Sequence, residues 1–526
     1  MSTSAAAPRP ERWPWALALG ALVVYVATAL WLLYAIDYHI GDALYRTANA
    51  RFMLQSRDPH LAAVGFVWPP LPVLLQLPFM LVLGPLQHAV VAGPLSTACC
   101  GALTVPVIAA ICRSLDLSRP LAITLTAAYA LNPVTVFSAA NGMSEAWFYL
   151  FTAVALLGLV RWTRRRKVLD LVVMAAGLAS AMLVRYETLA LVPVLALAAA
   201  LQEPRRRWAS VLLTVGLPAL YAFGLWLFAS LLIMRDPFFW LKAQTTVGHT
   251  PVGAPWLPDR ITLASSLGYA ARLTVGIGPG LVAMAPLLVL RRHWSSALAG
   301  LGLLCGGLLF PALIVAQLLR RVTWADPRYF EALVLFTTIA AAWLAAEWRP
   351  PSARLRGAFQ GALVGLLVLG GVTATVTLSN PVTTQIEQEQ HFFGWLLGRR
   401  VTPLREVSPM AIQGGGWQRL VHDLDPRLTP ESPVITDVSE AFPAVVFTRH
   451  PRLYVVSSDR DFEEILADPI GRVGYLIRPT SGPLSGALDA VLASHNGGEW
   501  KLLGDYQVAR VYQWIPSKST PTNRRP

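Results

Sequence analysis

Charge is what this chain has least of. Only 14% of its 526 residues are Asp, Glu, Lys or Arg, against about 25% in a soluble globular domain. Apolar residues make up 55%, and the mean hydropathy is +0.50. Cysteine is also rare. Cys99, Cys100, Cys112 and Cys305 all lie in or beside apolar stretches, form no CxxC pair, and leave the polar C-terminal part without a disulfide framework. No Walker A loop, no GxGxxG in a βαβ setting and no HExxH occurs, so a cytoplasmic nucleotide site is not expected. Nor is there the basic stripe of a nucleic-acid binder. The net charge of +13 is uneven: residues 1–379 carry 28 basic and 14 acidic side chains, and residues 380–526 carry 15 and 16. The excess sits in loops between apolar runs, where it reports orientation.

What the chain does have is long apolar runs, and these predict a polytopic α-helical membrane protein. Eleven stretches are expected to cross: 13–36, 89–111, 120–140, 145–162, 168–184, 187–202, 209–234, 271–290, 295–319, 329–347 and 357–378. The first follows Arg9 and Arg12, lacks a small-x-small cleavage site, and reads as a signal anchor. Residues 68–84, WPPLPVLLQLPFMLVLG, carry Pro69, Pro70, Pro72 and Pro78. Those prolines remove backbone donors, so a short juxtamembrane or re-entrant helix is expected there. Charge parity agrees. If 68–84 does not cross, the N-terminal side holds 17 basic and five acidic side chains and the opposite side 11 and nine; if it crosses, the arginine clusters land outside. The N-terminus is therefore expected in the cytoplasm, with the first loop and the C-terminal domain outside the cell (inner or plasma) membrane.

The expected domain layout follows. Residues 1–379 form the transmembrane part, with a first outer loop at 37–67. Residues 380–428 connect, punctuated by Gly414-Gly415-Gly416. Residues 429–515 alternate strand-length runs (PVITDV, AVVFT, RLYVVS, VGYLI, ARVYQW) with the helix-like DRDFEEILAD and LSGALDAVLASH, which predicts a small extracytoplasmic α/β domain. Residues 516–526 read as a disordered tail.

The chemistry is expected at the outer face. The first loop holds Asp37, Asp42 and Asp58 among Arg46, Arg51 and Arg57. Asp42 reads either as a helix N-cap or as a general base facing an enclosed cavity. Glu145 opens a span, either favouring the helix dipole or serving function on the same face. Arg185 and Arg328 each precede a tyrosine at an outer tip, and either snorkel to lipid or clamp a phosphate. Tyr45, Tyr186, Glu187, Tyr329 and His249 are further candidates beside them. The acids Asp37, Asp42, Asp58 and Glu145 leave a divalent cation open as a cofactor, with no spacing that demands it. Asp58, before Pro59, reads as turn chemistry.

In order along the chain, Asp42/Tyr45/Ala48, Pro69-Pro70-Leu71, Asn132-Pro133, Ser144-Glu145, Arg185-Tyr186-Glu187 and Arg328-Tyr329 resemble the motifs of GT-C glycosyltransferases that use a polyprenyl-phosphate-linked sugar. That group includes protein O-mannosyltransferases and bacterial lipid A aminoarabinose transferases. The resemblance implies a GT-C-like fold, Asp42 as catalytic base, Glu145 on the acceptor or metal side, and an arginine on the lipid phosphate. It departs in two places: Ala43 follows Asp42 where many members have a second acid, and Trp68 stands where aminoarabinose transferases have a lysine. The expected activity is inverting transfer of a hexosyl or pentosyl group from a polyprenyl-phosphate carrier to a hydroxyl on protein, lipid or glycan. The alternative is a lipid-linked glycan flippase or transporter, which usually keeps its ionisable groups near the bilayer midplane and often shows repeats. A non-catalytic scaffold would leave the loop acids without a role.

Overall fold

The computed structural model describes residues 11–242, 261–290, 294–320, 326–348, 350, 352–381, 383, 387–400, 409–494 and 497–517. His249 lies outside the described residues. The helices are α1 (Trp13–Tyr34), α2 (Gly41–Gln55), α3 (Leu71–Leu83), α4 (Ala92–Ser114), α5 (Arg119–Ala130), α6 (Pro133–Ala140), α7 (Glu145–Arg165), α8 (Val168–Met182), α9 (Thr188–Ala200) and α10 (Trp208–Met234). They continue as α11 (Leu263–Ile277), α12 (Pro279–Val289), α13 (Trp294–Leu319), α14 (Ala332–Glu347), α15 (Ala353–Leu378) and α16 (Glu387–Leu396). The C-terminal part adds α17 (Pro409–Leu424), α18 (Val438–Phe447), α19 (Phe462–Ala467) and α20 (Ser485–Ala493).

All eleven apolar stretches fold as helix, in three ways. Among the described residues seven are single helices long and apolar enough to cross a membrane, and two more are bent pairs. The α5–α6 pair bends by 55° at Asn132-Pro133, where proline lacks a donor and Asn132 Oδ1 accepts from the Val134 amide at 3.0 Å. The α11–α12 pair bends by 93° at Gly278-Pro279. The remaining two stretches, α8 and α9, are short at 15 and 13 residues. They fall below the roughly 20 residues of a straight crossing. Helix α3 is also short, 13 residues with Pro78 inside, as the prolines predicted. The protein is thus a polytopic α-helical membrane protein carrying a small C-terminal α/β sheet.

The chain forms two compact units, neither continuous in sequence. The first comprises Met1–Ala29, Thr97–Ala140 and Ser144–Arg400. In it the helix Pro327–Glu347 is central, with 94% of its apolar window buried, while Arg205–Met234 buries only 17% and turns its leucines outward. Small residues set the close packing. A Cβ on Gly158 would sit 2.5 Å from the Met174 amide nitrogen, and one on Gly177 would sit 2.5 Å from that of Ala155. Helices α7 and α8 therefore touch backbone to backbone at two reciprocal points.

The second unit comprises Leu30–Ser96, Asn141–Met143 and Val401–Pro526. Its sheet runs β2 (Tyr454–Val456), β1 (Val434–Thr436), β3 (Tyr475–Pro479), β5 (Ala509–Pro516), β4 (Gly498–Asp505). The first three strands are parallel, and β5 and β4 form an antiparallel hairpin. Ile435, Val455, Phe462, Leu476 and Leu488 are buried between the sheet and α19 and α20.

Three local expectations change. AVVFT is not a strand: it ends α18, which starts from the Asp437 N-cap, whose Oδ1 accepts from the Ser439 amide. The Gly414–Gly416 triplet does not break the chain but lies inside α17, where a Cβ on Gly416 would meet Val508 at 2.9 Å. And β4, the outer strand GEWKLLGD, was absent from the expected strands because its burial alternates only weakly.

Candidate functional site

The sequence candidates fall into two groups, one in each unit. In the second unit, Asp42 is not an N-cap. Ile40 holds that position and makes no side-chain cap, while Asp42 stands half-buried in the first turn of α2, where the helix dipole favours an anion. Tyr45 lies edge-on to Trp68 at 5.2 Å and to Phe442 of α18 at 5.3 Å. Arg46, 4% exposed, lays its guanidinium over Trp68 at 4.7 Å and donates to the Asp42 carbonyl at 3.1 Å. So a cation does stand beside residue 68, where the resemblance would have put a lysine, but it comes from α2. Tyr45, Arg46, Asn49, Gly65, Trp68 and Val73 line a crevice too narrow to admit water.

The other loop charges have partners within the same unit. Asp37 Oδ1 and His39 Nε2 lie 3.1 Å apart, and Gln418 Nε2 reaches that ring nitrogen at 3.1 Å. Arg51, 1% exposed, donates through Nη1 to the carbonyls of Val445, Val446 and Thr448 at 2.7, 2.9 and 2.9 Å. Burial pulls its guanidinium down to about 10. Arg57 pairs with Asp459 and Asp461, and Asp58 pairs in the opposite sense with Arg460. Asp58 is therefore an ion-pair partner and not only a turn residue. The Arg460 hydrogen bond holds its carboxyl well below the usual carboxylate range, whereas burial pushes Asp459 up.

In the first unit, Glu145, Arg185, Glu187, Arg328 and Tyr329 do come together. Glu145 opens α7 and is 2% exposed; the turn between α8 and α9 carries Arg185 and Glu187. Arg185 donates through Nη1 to Glu145 and through Nε and Nη2 to Glu187 at 3.2 and 2.7 Å. The Tyr329 ring lies under both guanidiniums, 5.3 Å from Arg185 and 5.4 Å from Arg328. Arg328 pairs with Asp326 at 2.8 Å. Tyr186 turns elsewhere: it stacks on Trp240 at 4.1 Å and accepts from Trp226 Nε1 at 3.0 Å.

Two more acids join this cluster, Glu331 from the same membrane-edge segment as Arg328 and Glu389 from α16. Glu331, 1% exposed, accepts from Ser138 at 2.5 Å and Tyr149 at 3.4 Å. Its place at the head of an apolar span was a signal. Glu389, 2% exposed, comes from α16, where the polar run QIEQEQ gave none. Burial, then the carboxylates of Asp326 and Glu331, push Glu389 well above the usual carboxylate range. Five acids thus surround two arginines. Among the described residues, Glu145 Oε2 and Glu331 Oε1 are buried with no hydrogen-bond partner. No group of three or more His, Cys, Asp or Glu among the described residues is arranged to hold a metal ion. Glu145 and Asp58, two of the four acids considered for one, already have arginine partners.

Neither a protein-family model nor the sequence of a curated protein matches this chain. Solved structures do match it. The crystal structure of ArnT from Cupriavidus metallidurans bound to undecaprenyl phosphate is similar at a TM-score of 0.56 and 14% identity, over 97% of this chain and 99% of that one. The apo form of the same protein is similar at 0.52 and 16%, over 94% and 98%. At such identities the likeness is one of fold, and it runs nearly the full length of both chains. This chain has the GT-C fold that the order of its motifs led one to expect.

Proposed function

We propose that the protein is a membrane glycosyltransferase that moves a sugar from a polyprenyl-phosphate carrier to an acceptor hydroxyl at the extracytoplasmic face. One observation carries the reading: the likeness in fold covers 97% of this chain and 99% of a protein whose structure holds undecaprenyl phosphate. In the proposed reaction the acceptor oxygen attacks the anomeric carbon as its bond to the phosphate oxygen breaks, with inversion. Asp42 takes the hydroxyl proton, and the carrier phosphate leaves with the electron pair. An arginine steadies that charge. Arg328 suits this role better than Arg185: its side chain is 22% exposed against 11%. Glu145 then serves on the acceptor side through its hold on Arg185. Charge parity supports a cytoplasmic N-terminus and an outer face for residues 37–67 and 429–515.

The test is incubation of the purified protein with radiolabelled polyprenyl-phosphate sugars and a membrane extract, followed by identification of the labelled acceptor. Asp42→Asn is expected to lower transfer by about 10²–10⁴-fold at normal expression. Near-parental transfer would remove Asp42 as the base, and accumulation of flipped lipid-sugar with no transfer product would favour a flippase.

A further inference from the structure

Helix α2 carries Asp42, and α2 does little to fix its own rotation. It has 15 residues and no side-chain cap at its start. Isolated helices of this length are marginal in water. Its rotation about its own axis must come from what it packs on. Arg51 lies nine residues beyond Asp42, about half a turn round the helix at 3.6 residues per turn. It is also among the largest fully buried side chains.

Arg51 reaches the end of α18. The carbonyls of Val445, Val446 and Thr448 belong to the last turn and C-cap, which lack intrahelical donors and carry the negative end of the helix dipole. A buried cation is suited to that place. The lock continues inward. The Thr448 hydroxyl donates to Asp425 at 2.6 Å, the Arg449 amide donates to the same carboxylate at 2.7 Å, and the Tyr454 hydroxyl at the head of β2 donates to it at 3.3 Å. Two further contacts grip the same helix from the same part of the chain: Tyr45 on Phe442 near its start, and the Arg57 and Asp58 pairs just past its end.

We propose that the C-terminal α/β segment sets the orientation of Asp42 by holding the back of α2 through Arg51, which makes Arg51 a positioning residue for the transfer reaction. The proposal rests on the reading of Asp42 as the base. A tether alone would need only the ion pairs at residues 57–58. A buried guanidinium on three carbonyls fixes rotation as well as distance.

The experiment uses the full chain in detergent or nanodiscs, with Arg51→Gln, Arg51→Lys and Asp42→Asn compared in transfer kinetics and in amide hydrogen exchange over residues 41–55. In Arg51→Gln, exchange in α2 should rise at least about 10-fold and kcat should fall about 10²-fold, the scale of a 1 Å misplacement, with KM for the donor changed less than about threefold. Arg51→Lys keeps a donor and should recover part of both. Asp42→Asn should lower kcat with α2 exchange unchanged. Parental exchange in Arg51→Gln overturns the proposal whatever Asp42→Asn does; so does raised exchange with parental kcat. If Asp42→Asn transfers normally, the base reading fails, and Arg51 stands or falls as the holder of α2 on exchange alone. Should Arg51→Gln not fold, Phe442→Leu, which removes the ring against Tyr45, is expected to give a weaker form of the same pattern, and its absence counts against the proposal.

Discussion

The charges around α2 and those around Arg185 were built to different rules. In the second unit the pairings are reciprocal: Arg57 with two aspartates, Asp58 with Arg460, Arg51 with three carbonyls. In the first unit the acids outnumber the arginines, and Glu145 and Glu331 each keep a buried oxygen without a partner among the described residues. Satisfied polar networks specify structure, whereas an unsatisfied buried group in a native fold calls for a functional explanation. Asp459 Oδ1 and Gln76 Nε2, around α2, are also buried without a partner among the described residues, so the contrast lies in the balance of charge: paired around α2, and an excess of acid around Arg185.

Four substitutions test that contrast, from the largest expected effect to the smallest. Arg185→Ala leaves Glu145 and Glu187 buried without their cation and should destabilise by about 3–5 kcal/mol, measured by denaturation in detergent. A loss below 1 kcal/mol would mean the cluster is wetter than its burial indicates. Glu389→Gln should act the other way. The folded state keeps a proton on Glu389 that the unfolded chain gives up above its ordinary value of 4.5, so stability falls as pH climbs from there through the raised folded value. Glutamine removes that slope, and the variant's denaturation midpoint should exceed the parent's near neutral pH and meet it at acid pH. A variant less stable at neutral pH would show that Glu389 is held as an anion. Glu331→Gln keeps an oxygen for Ser138 and Tyr149 and should cost less than about 1.5 kcal/mol, the worth of a neutral hydrogen bond. If it abolishes transfer while the fold survives, the unpartnered Glu331 oxygen meets substrate. Asp58→Asn should matter least, since Arg460 is exposed. Its folded value is depressed, so its contribution is complete above 3.8 and is lost as pH falls through the folded value. Parent and variant should therefore converge in acid; a gap that widens there would contradict the pairing.

Much of this was legible in the residues, for reasons that also explain what was not. Apolar length announces a membrane helix whatever surrounds it, and four prolines in 68–84 announce a helix that stays short. The order of Asp42, Pro69-Pro70, Ser144-Glu145 and Arg328-Tyr329 pointed to the fold. Arg51 could not be read, because its partners are main-chain carbonyls nearly 400 residues on, and carbonyls carry no signature. Glu389 could not be read either: its burial depends on how α16 packs. AVVFT has strand propensity, but the Asp437 cap and the packing of α18 override it.

The paired glycines of α7 and α8 bear on how the Arg185 cluster can move. Gly158 and Gly177 let the two backbones mesh, so sliding one helix along the other by a turn, about 5.4 Å, would drive side chains into main chain. Glu145 begins one arm of this hairpin and Arg185 follows the end of the other. Their separation is therefore a fixed dimension of the hairpin, and an anion that displaces Glu145 from Arg185 has to do so by rotating side chains at its open end. Such a displacement would need only rotamer changes and no movement of the helices.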